Sequence, residues 1–227
     1  MCDEISLQGG RITQGVVRKG NYVLRPCCSN SSFAHNVLKW LEDKGVTASP
    51  RFIGLTGDGR EITTFLEGVS PYNLGWFSEE QIFEAARIIK HLHSCLSDFP
   101  GCSKNQTVCH NDLSPCNFMF KDGLPYAVFD WDAAGIGDPV NDVAYAVWLW
   151  LDIGNEQNSV GELCKKTKIM LDAYGLDIDR KKLIPILHKQ MQRVAKSLHV
   201  AGISDGYKWA CGCERWLTKH QSEYVIT

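Results

Sequence analysis

The segment Val108–Asn117, VCHNDLSPCN, follows an apolar strand and places His110, Asp112 and Asn117 in one short loop. A second stretch, VFDWDAAGIGDP, begins at Val128 and carries Asp130 at the end of another predicted strand. Burying carboxylates without a partner is expensive, so acidic side chains at strand ends need a reason. The pattern therefore predicts a charged partner that both loops share.

These residue types suit phosphoryl transfer. An Asn oxygen and an Asp carboxylate are hard ligands that suit Mg²⁺, which keeps few protein ligands besides substrate phosphates. A further Asp that is not on the metal can accept a hydroxyl proton. The alternative is that these Asp and Asn residues only cap turns. Two such loops in one chain favour the functional interpretation.

Here the sequence resembles a known family. HNDLSPCN, residues 110–117, resembles the catalytic loop of the aminoglycoside phosphotransferase and choline kinase-like family. FDWDAAGIGDPVNDVAYA, residues 129–146, resembles the metal-binding stretch of that family. Three shorter segments extend the resemblance to about residues 9–151: YVLRP at 22–26, REITTFLEG at 60–68 and RIIKHLHS at 87–94.

The resemblance implies a role for each matched residue of the large lobe. Asp112 would be the catalytic base or would orient the acceptor hydroxyl, and His110 would brace its loop. Asn117 and Asp130 would be the Mg²⁺ ligands, and Asp132 would be an extra carboxylate on the metal side. Two further acidic residues would cap or tie the segment that leads into the next helix: Asp138 and Asp142.

On the nucleotide side, the resemblance implies that Phe65, Leu66 and Glu67 form a hinge whose backbone meets adenine. Arg25 stands where the family generally has a Lys that holds the nucleotide phosphates, and its fork has a different geometry. The family's partner Glu falls at Ala34, beside His35, so the Lys–Glu pair is absent or rebuilt. The loop at residues 9–15 would be a reduced phosphate cover, or ordinary hairpin punctuation.

The resemblance implies an α+β, protein-kinase-like fold with two lobes: a small antiparallel β lobe at residues 1–66 and a larger, mainly helical lobe at 67–227. The hydrophobic pattern agrees. It predicts short strands and one helix, ending near Asp43, before the hinge. A helix begins after Ser78, two short strands follow near residues 118–129, and helices fill the rest.

Composition limits the class of protein. The 227 residues carry a net charge of −2, so we expect neither nucleic acid nor an acidic membrane as partner. Ten cysteines lack the spacing of a disulfide framework, and the N-terminus lacks signal-peptide features, so we expect a reduced, cytoplasmic protein. Cys211 and Cys213 resemble half a zinc site, but no second ligand pair stands nearby at zinc spacing.

The acceptor is harder to predict. Trp148, Trp150, Trp209 and Trp216 are candidates for the acceptor wall, although Trp lies more often in cores. An aminoglycoside would need converging carboxylates, and choline would need an aromatic cage. The carboxylates on offer are Glu162, Asp172, Asp205, Glu214 and Glu223.

The leading hypothesis is a phosphotransferase that moves the γ-phosphate of ATP, or of GTP, to a hydroxyl of a small molecule with Mg²⁺. The alternative is a pseudokinase-type binding or immunity protein without efficient turnover, which the changes at Arg25 and Ala34 favour. A protein kinase is disfavoured because no D-F-G and A-P-E pair encloses an activation segment. The oligomeric state stays open.

Overall fold

The computed structural model describes residues 4–7, 15–72 and 74–224. Most of the predicted phosphate cover, residues 9–15, lies outside them. In the small lobe, five strands form one antiparallel sheet in the order β1-β2-β3-β5-β4. The strands are β1 (Ile5–Ser6), β2 (Val17–Lys19), β3 (Tyr22–Arg25), β4 (Phe52–Leu55) and β5 (Glu61–Thr64). Helix α1 (Ser31–Asp43) contacts the sheet at β4.

The register of the central strand pair decides the chemistry of this sheet. β3 and β5 run antiparallel, and Arg25 at the end of β3 is directly opposite Glu61 at the start of β5. Opposed residues lie on the same face of an antiparallel pair, so their side chains meet. The sheet thus brings a cation and a carboxylate together at one edge of the small lobe.

The large lobe contains five helices and two small antiparallel pairs, β6 with β9 and β7 with β8, among its described residues. The strands are β6 (Thr107–Cys109), β7 (Phe118–Lys121), β8 (Leu124–Val128) and β9 (Gly135–Gly137). The helices are α2 (Glu79–Leu96), α3 (Pro139–Trp150), α4 (Val160–Tyr174), α5 (Arg180–Val200) and α6 (Ser204–His220). Pairing of β6 with β9 holds the loop after β6 against the loop before β9.

Helix α2 shows why the sequence pattern was informative. Ser78 accepts a hydrogen bond from the backbone of Gln81, and the Gln81 side chain accepts one from the backbone of Ser78, which completes a capping box. Ile82, Ala86 and Ile89 recur at helical spacing and are fully buried, with exposed fractions of 0–1%. The helix therefore forms one wall of the core of the large lobe.

The structure confirms the predicted α+β class, with an antiparallel sheet followed by a mainly helical lobe. Helix α3 begins at Pro139, so the Asp138 side chain caps it, whereas Asp142 lies within its first turn. The division at residues 66 and 67 stays a proposal. Among the described residues, no helix is both long enough and apolar enough to cross a bilayer.

Candidate active site

A buried carboxylate anchors the loop that follows β6. Asp142 on α3 accepts hydrogen bonds from the backbone N–H of His110 at 2.7 Å and of Asn111 at 2.8 Å. His93 on α2 contacts the same carboxylate at 3.1 Å. Burial opposes ionisation of Asp142, but the hydrogen bond and charge of His93, together with the backbone N–H of His110, hold its pKa below the ordinary value. The network fixes the backbone just before Asp112.

His110 links the two loops. Its Nε2 lies 3.0 Å from the carbonyl oxygen of Phe129, which can only accept a hydrogen bond. Its Nδ1 lies 3.3 Å from the backbone N–H of Asp112, which can only donate one. A neutral ring with its proton on Nε2 satisfies both contacts. The geometry supports the predicted bracing role of His110.

Asp112 is half-buried and held on one side. The Tyr145 hydroxyl donates to Asp112 Oδ1 at 2.7 Å. Tyr145 is only 7% exposed, and burial together with the neighbouring Asp112 charge raises its pKa well above the ordinary value. The phenol therefore stays a hydrogen-bond donor at neutral pH. Sequence reasoning missed Tyr145, because nothing in an apolar helical stretch marks the face on which a base lies.

One contact fixes the side-chain amide of Asn117. Its Nδ2 donates to the carbonyl oxygen of Asp112 at 2.9 Å, so this contact does not use Oδ1, the atom that could act as a ligand. The backbone N–H of Phe129 donates to the carbonyl oxygen of Asn117 at 3.0 Å, so Asp130 follows directly beside it. Asp130 has a left-handed backbone, with φ of 67°, which Asp tolerates better than most residues. These contacts hold the loop that carries Asp112 and Asn117 against the loop that carries Asp130.

Arg25 reaches across the cleft from the small lobe. Its Nη1 donates to Asp130 Oδ1 at 2.9 Å and to Asp132 Oδ2 at 3.1 Å, and its Nη2 donates to Asp132 Oδ1 at 2.5 Å. Burial disfavours the charge, but Glu61, Asp132 and Asp130 together raise the pKa of Arg25. Burial also raises the pKa of Asp132 despite the guanidinium beside it.

Glu61 takes the place of the helix carboxylate that the sequence lacks. It is 1% exposed, and it forms an ion pair with the Nε of Arg25. His35 on α1 contacts the other Glu61 oxygen at 2.6 Å and stacks on Phe52 with ring centroids 3.8 Å apart. The missing pair is thus rebuilt as Arg25–Glu61–His35. The role of Glu61 could not be recognised in the sequence, because its pairing with Arg25 comes from the strand register.

The predicted hinge carries a second cation. Arg18 lies 3.7 Å above the Phe65 ring and pairs with the Glu67 carboxylate at 2.7 Å. The Tyr126 hydroxyl donates to the carbonyl oxygen of Glu67 at 2.7 Å, and the backbone N–H of Phe65 donates to Asn21. The adenine role of Phe65, Leu66 and Glu67 stays a prediction.

Most of the candidate acceptor residues have structural positions. Trp148, Trp150 and Trp216 are 0–4% exposed and lie in the core, whereas Trp209 is 38% exposed and stacks on Trp148. The acidic candidates have local partners instead of a common centre: Glu162 with Lys166, Asp172 with Lys168, Asp205 with Lys208, Glu214 with His188 and Glu223 with His220. Cys211 and Cys213 join no cluster of three metal-ligating side chains within the described part of the chain.

Comparison with known proteins identifies the fold. Residues 78–161 match the model of the phosphotransferase enzyme family, a range that contains both candidate loops. An amicoumacin kinase in complex with AMP-PNP and Ca²⁺ has a TM-score of 0.71 at 12% identity, covering 99% of this chain and 89% of that one. A GDP complex of an aminoglycoside 2′-phosphotransferase-IIIa variant has a TM-score of 0.67 at 14% identity, with 98% and 94% covered. The fold is therefore that of the protein-kinase-like aminoglycoside phosphotransferases, and the resemblance predicted from the sequence is confirmed.

The chain is also similar in sequence to one curated protein. The chain is 29% identical over 199 residues to a trifolitoxin immunity protein of Rhizobium leguminosarum bv. trifolii, covering 78% of this chain and 76% of that protein. The similarity thus joins a phosphotransferase fold to a relative named for immunity.

Proposed function

We propose that the chain is a phosphotransferase that moves the γ-phosphate of ATP or GTP to a hydroxyl of a small molecule, with Mg²⁺ as cofactor. One observation carries the proposal: the loop with the base candidate Asp112 and the ligand candidate Asn117 is hydrogen-bonded to the loop with the ligand candidate Asp130, and the Arg25 guanidinium contacts Asp130. A turn-capping role alone does not require two loops to converge on a cation.

The residues of the cleft divide the work. Tyr145 holds Asp112 Oδ1, which leaves Oδ2 to accept a hydrogen bond from the acceptor hydroxyl and orient it. The planar fork of Arg25 suits phosphate oxygens, which would replace the Asp130 and Asp132 carboxylates that it engages here, while Glu61 holds its Nε. Asp112 and Tyr145 of the large lobe would thus act on the acceptor, and Arg25 of the small lobe would act on the nucleotide.

The donor set fits Mg²⁺. The Nδ2 contact of Asn117 does not use its Oδ1, and Asp130 engages Arg25 through Oδ1 and keeps Oδ2. A bound Mg²⁺ would neutralise charge that develops on the transferred group. Asp132 fits less well as a ligand, because Arg25 engages both of its oxygens. Its proposed role is to position Arg25.

Calorimetric titration with ATP, with and without Mg²⁺, tests the nucleotide site. We expect binding that depends on Mg²⁺ and that Asp130→Asn weakens by about tenfold or more. Asp122→Asn is the matched control, since this exposed residue lies in the turn between β7 and β8. In a turnover assay with an identified acceptor, Asp112→Ala should reduce the rate by about 10²–10⁴-fold. Metal-independent binding, or full turnover by Asp112→Ala, would refute the proposal.

A second candidate is an immunity protein that protects by binding without turnover. The curated relative favours it, as does Arg25 at the position where the family generally has Lys. The same titration separates the candidates, because a binding protein without a nucleotide site would show no heat with ATP and Mg²⁺. Steady Mg²⁺-dependent turnover on any small acceptor would exclude it.

A further inference from the structure

Helix α5 is strongly basic. Its sequence, RKKLIPILHKQMQRVAKSLHV, contains Lys and Arg at six positions and has no Asp or Glu. A contact with the candidate catalytic loop distinguishes one of these residues. The Nη2 of Arg193 donates to the carbonyl oxygen of Asn111 at 3.0 Å, immediately before Asp112 in the chain. The helix therefore presents a cation to the acceptor side of the cleft.

Arg193 also lies beside the group that holds the base. Its guanidinium carbon is 5.3 Å from the centre of the Tyr145 ring, whose hydroxyl donates to Asp112. The positive charge of Arg193 acts on the Tyr145 hydroxyl and opposes the rise in its pKa. An acceptor whose hydroxyl meets Asp112 would thus lie close to this guanidinium.

The guanidinium is held in place before any ligand arrives. Its Nε donates to Gln190 Oε1 at 3.0 Å, and Gln190 Nε2 donates to Asn141 Oδ1 at 3.2 Å. Gln190 is only 4% exposed, so this chain of contacts is anchored in the interior. An oriented Arg loses less conformational freedom on binding than a free one, which makes it a better recognition group.

The charge of Arg193 has no carboxylate partner among the described residues. Its hydrogen-bond acceptors, the Asn111 carbonyl and the Gln190 amide, are neutral oxygens. Within the described ranges, Nη1 makes no hydrogen bond, and Arg193 as a whole is an exposed residue. By contrast, the acidic side chains of the helical lobe that were candidates for binding a polycation pair locally. A fixed, unneutralised cation beside a base favours an anionic ligand.

We infer that the acceptor carries an anionic group, a carboxylate or a phosphate, near its reacting hydroxyl, and that Arg193 binds that group. The inference rests on the proposed function and adds the substrate class. It separates this chain from a kinase of polycationic aminoglycosides, which needs converging carboxylates on the acceptor side.

Four sugar probes with a common ring test the inference: glucuronate, glucose 6-phosphate, neutral glucose and cationic glucosamine. Their dissociation constants are measured by ligand-detected NMR with AMP-PNP and Mg²⁺ present. We expect at least one anionic probe to bind about tenfold or more tightly than glucose, and glucosamine to bind most weakly. The glucuronate and glucose 6-phosphate arms decide between a carboxylate and a phosphate.

Variants locate the effect. Arg193→Gln should remove the preference for the anionic probe, and Arg193→Lys should retain part of it. Lys196→Gln, which removes the same charge from an exposed position of α5, should leave the preference intact. Calorimetry with ATP and Mg²⁺ on the same samples shows whether the nucleotide site works.

If the unmodified chain does not bind nucleotide, the proposed function is refuted. With nucleotide binding intact, three results would overturn the inference alone: equal binding of all four sugars, binding of none, or preference for glucosamine. An anionic preference that Arg193→Gln leaves unchanged would also overturn it.

Discussion

The two sides of the cleft hold their candidate functional residues in place in different ways. On the large-lobe side, Asp142 accepts two backbone N–H groups, so the candidate catalytic loop is fixed through its main chain. On the small-lobe side, the Arg25–Glu61–His35 network is built entirely from side chains. A loop that is held through its main chain depends on a few residues at set positions. A side chain can instead be held by a partner from any element that comes close enough to contact it. This explains why the loop motifs are recognisable in the sequence and the Arg25–Glu61–His35 network is not.

The largest effect is expected from breaking the main-chain anchor. Asp142→Asn leaves a backbone N–H or His93 without its charged acceptor in a fully buried site, which should lower the free energy of unfolding by about 3 kcal/mol. Urea denaturation measures the change. Asp138→Asn is the control, because Asn caps a helix as well as Asp does.

The pH dependence of stability follows from the same carboxylate. Its pKa is lower in the folded chain than in the unfolded one, so its contribution is present above the unfolded pKa, about 4, and is lost as the pH falls through the folded pKa. Acidification should therefore destabilise the unmodified chain more than Asp142→Asn. Equal stability of Asp142→Asn and Asp138→Asn would contradict the main-chain account.

An intermediate effect is expected from breaking the side-chain anchor. Glu61→Gln removes a buried carboxylate from Arg25 and His35, at a cost of about 1–3 kcal/mol in stability. Nucleotide affinity, measured by calorimetry, should fall with it because Arg25 loses its orientation. Glu42→Gln on the exposed face of α1 is the control.

Relocating the carboxylate sharpens this test. The double variant His35→Glu with Glu61→Gln moves the charge from β5 to α1, the element where the family's sequence pattern puts it. We expect it to recover part of the lost nucleotide affinity, because the two side chains already meet at 2.6 Å. If Glu61→Gln bound nucleotide as well as the unmodified chain, the rebuilt pair would have no role.

The smallest effect is expected from Arg25→Lys. A single ammonium cannot bind Glu61, Asp130 and Asp132 with the geometry of the fork, so stability should fall by about 1 kcal/mol. Nucleotide affinity should stay within about tenfold, since Lys also binds phosphate as a point charge. Thermal unfolding and calorimetry measure the two effects. Complete loss of nucleotide binding would mean that the planar fork is required, and the two anchors would then be equally strict.

The comparison also accounts for the acceptor side. The sequence offered five acidic residues and four Trp as candidates, and most of them have local or core partners. The sequence does not distinguish Arg193 from the other basic residues on α5, because only its contact with Asn111 sets it apart. Under the proposed function, the residues that would meet the acceptor depend on which helix face contacts the loop, and that contact is a long-range property.

Short-range chemistry is what the sequence by itself determined. The spacing of His110, Asp112 and Asn117 with Asp130, the capping box at Ser78 and the helical periodicity of α2 each depend on neighbours in the chain, so they could be predicted. The tertiary structure alone decided the rest. Strand register put Glu61 opposite Arg25, and helix packing put Tyr145 against Asp112 and Arg193 against Asn111. The physical reason is that charged and polar side chains pair with groups that are close in space, whereas the sequence records only distance along the chain.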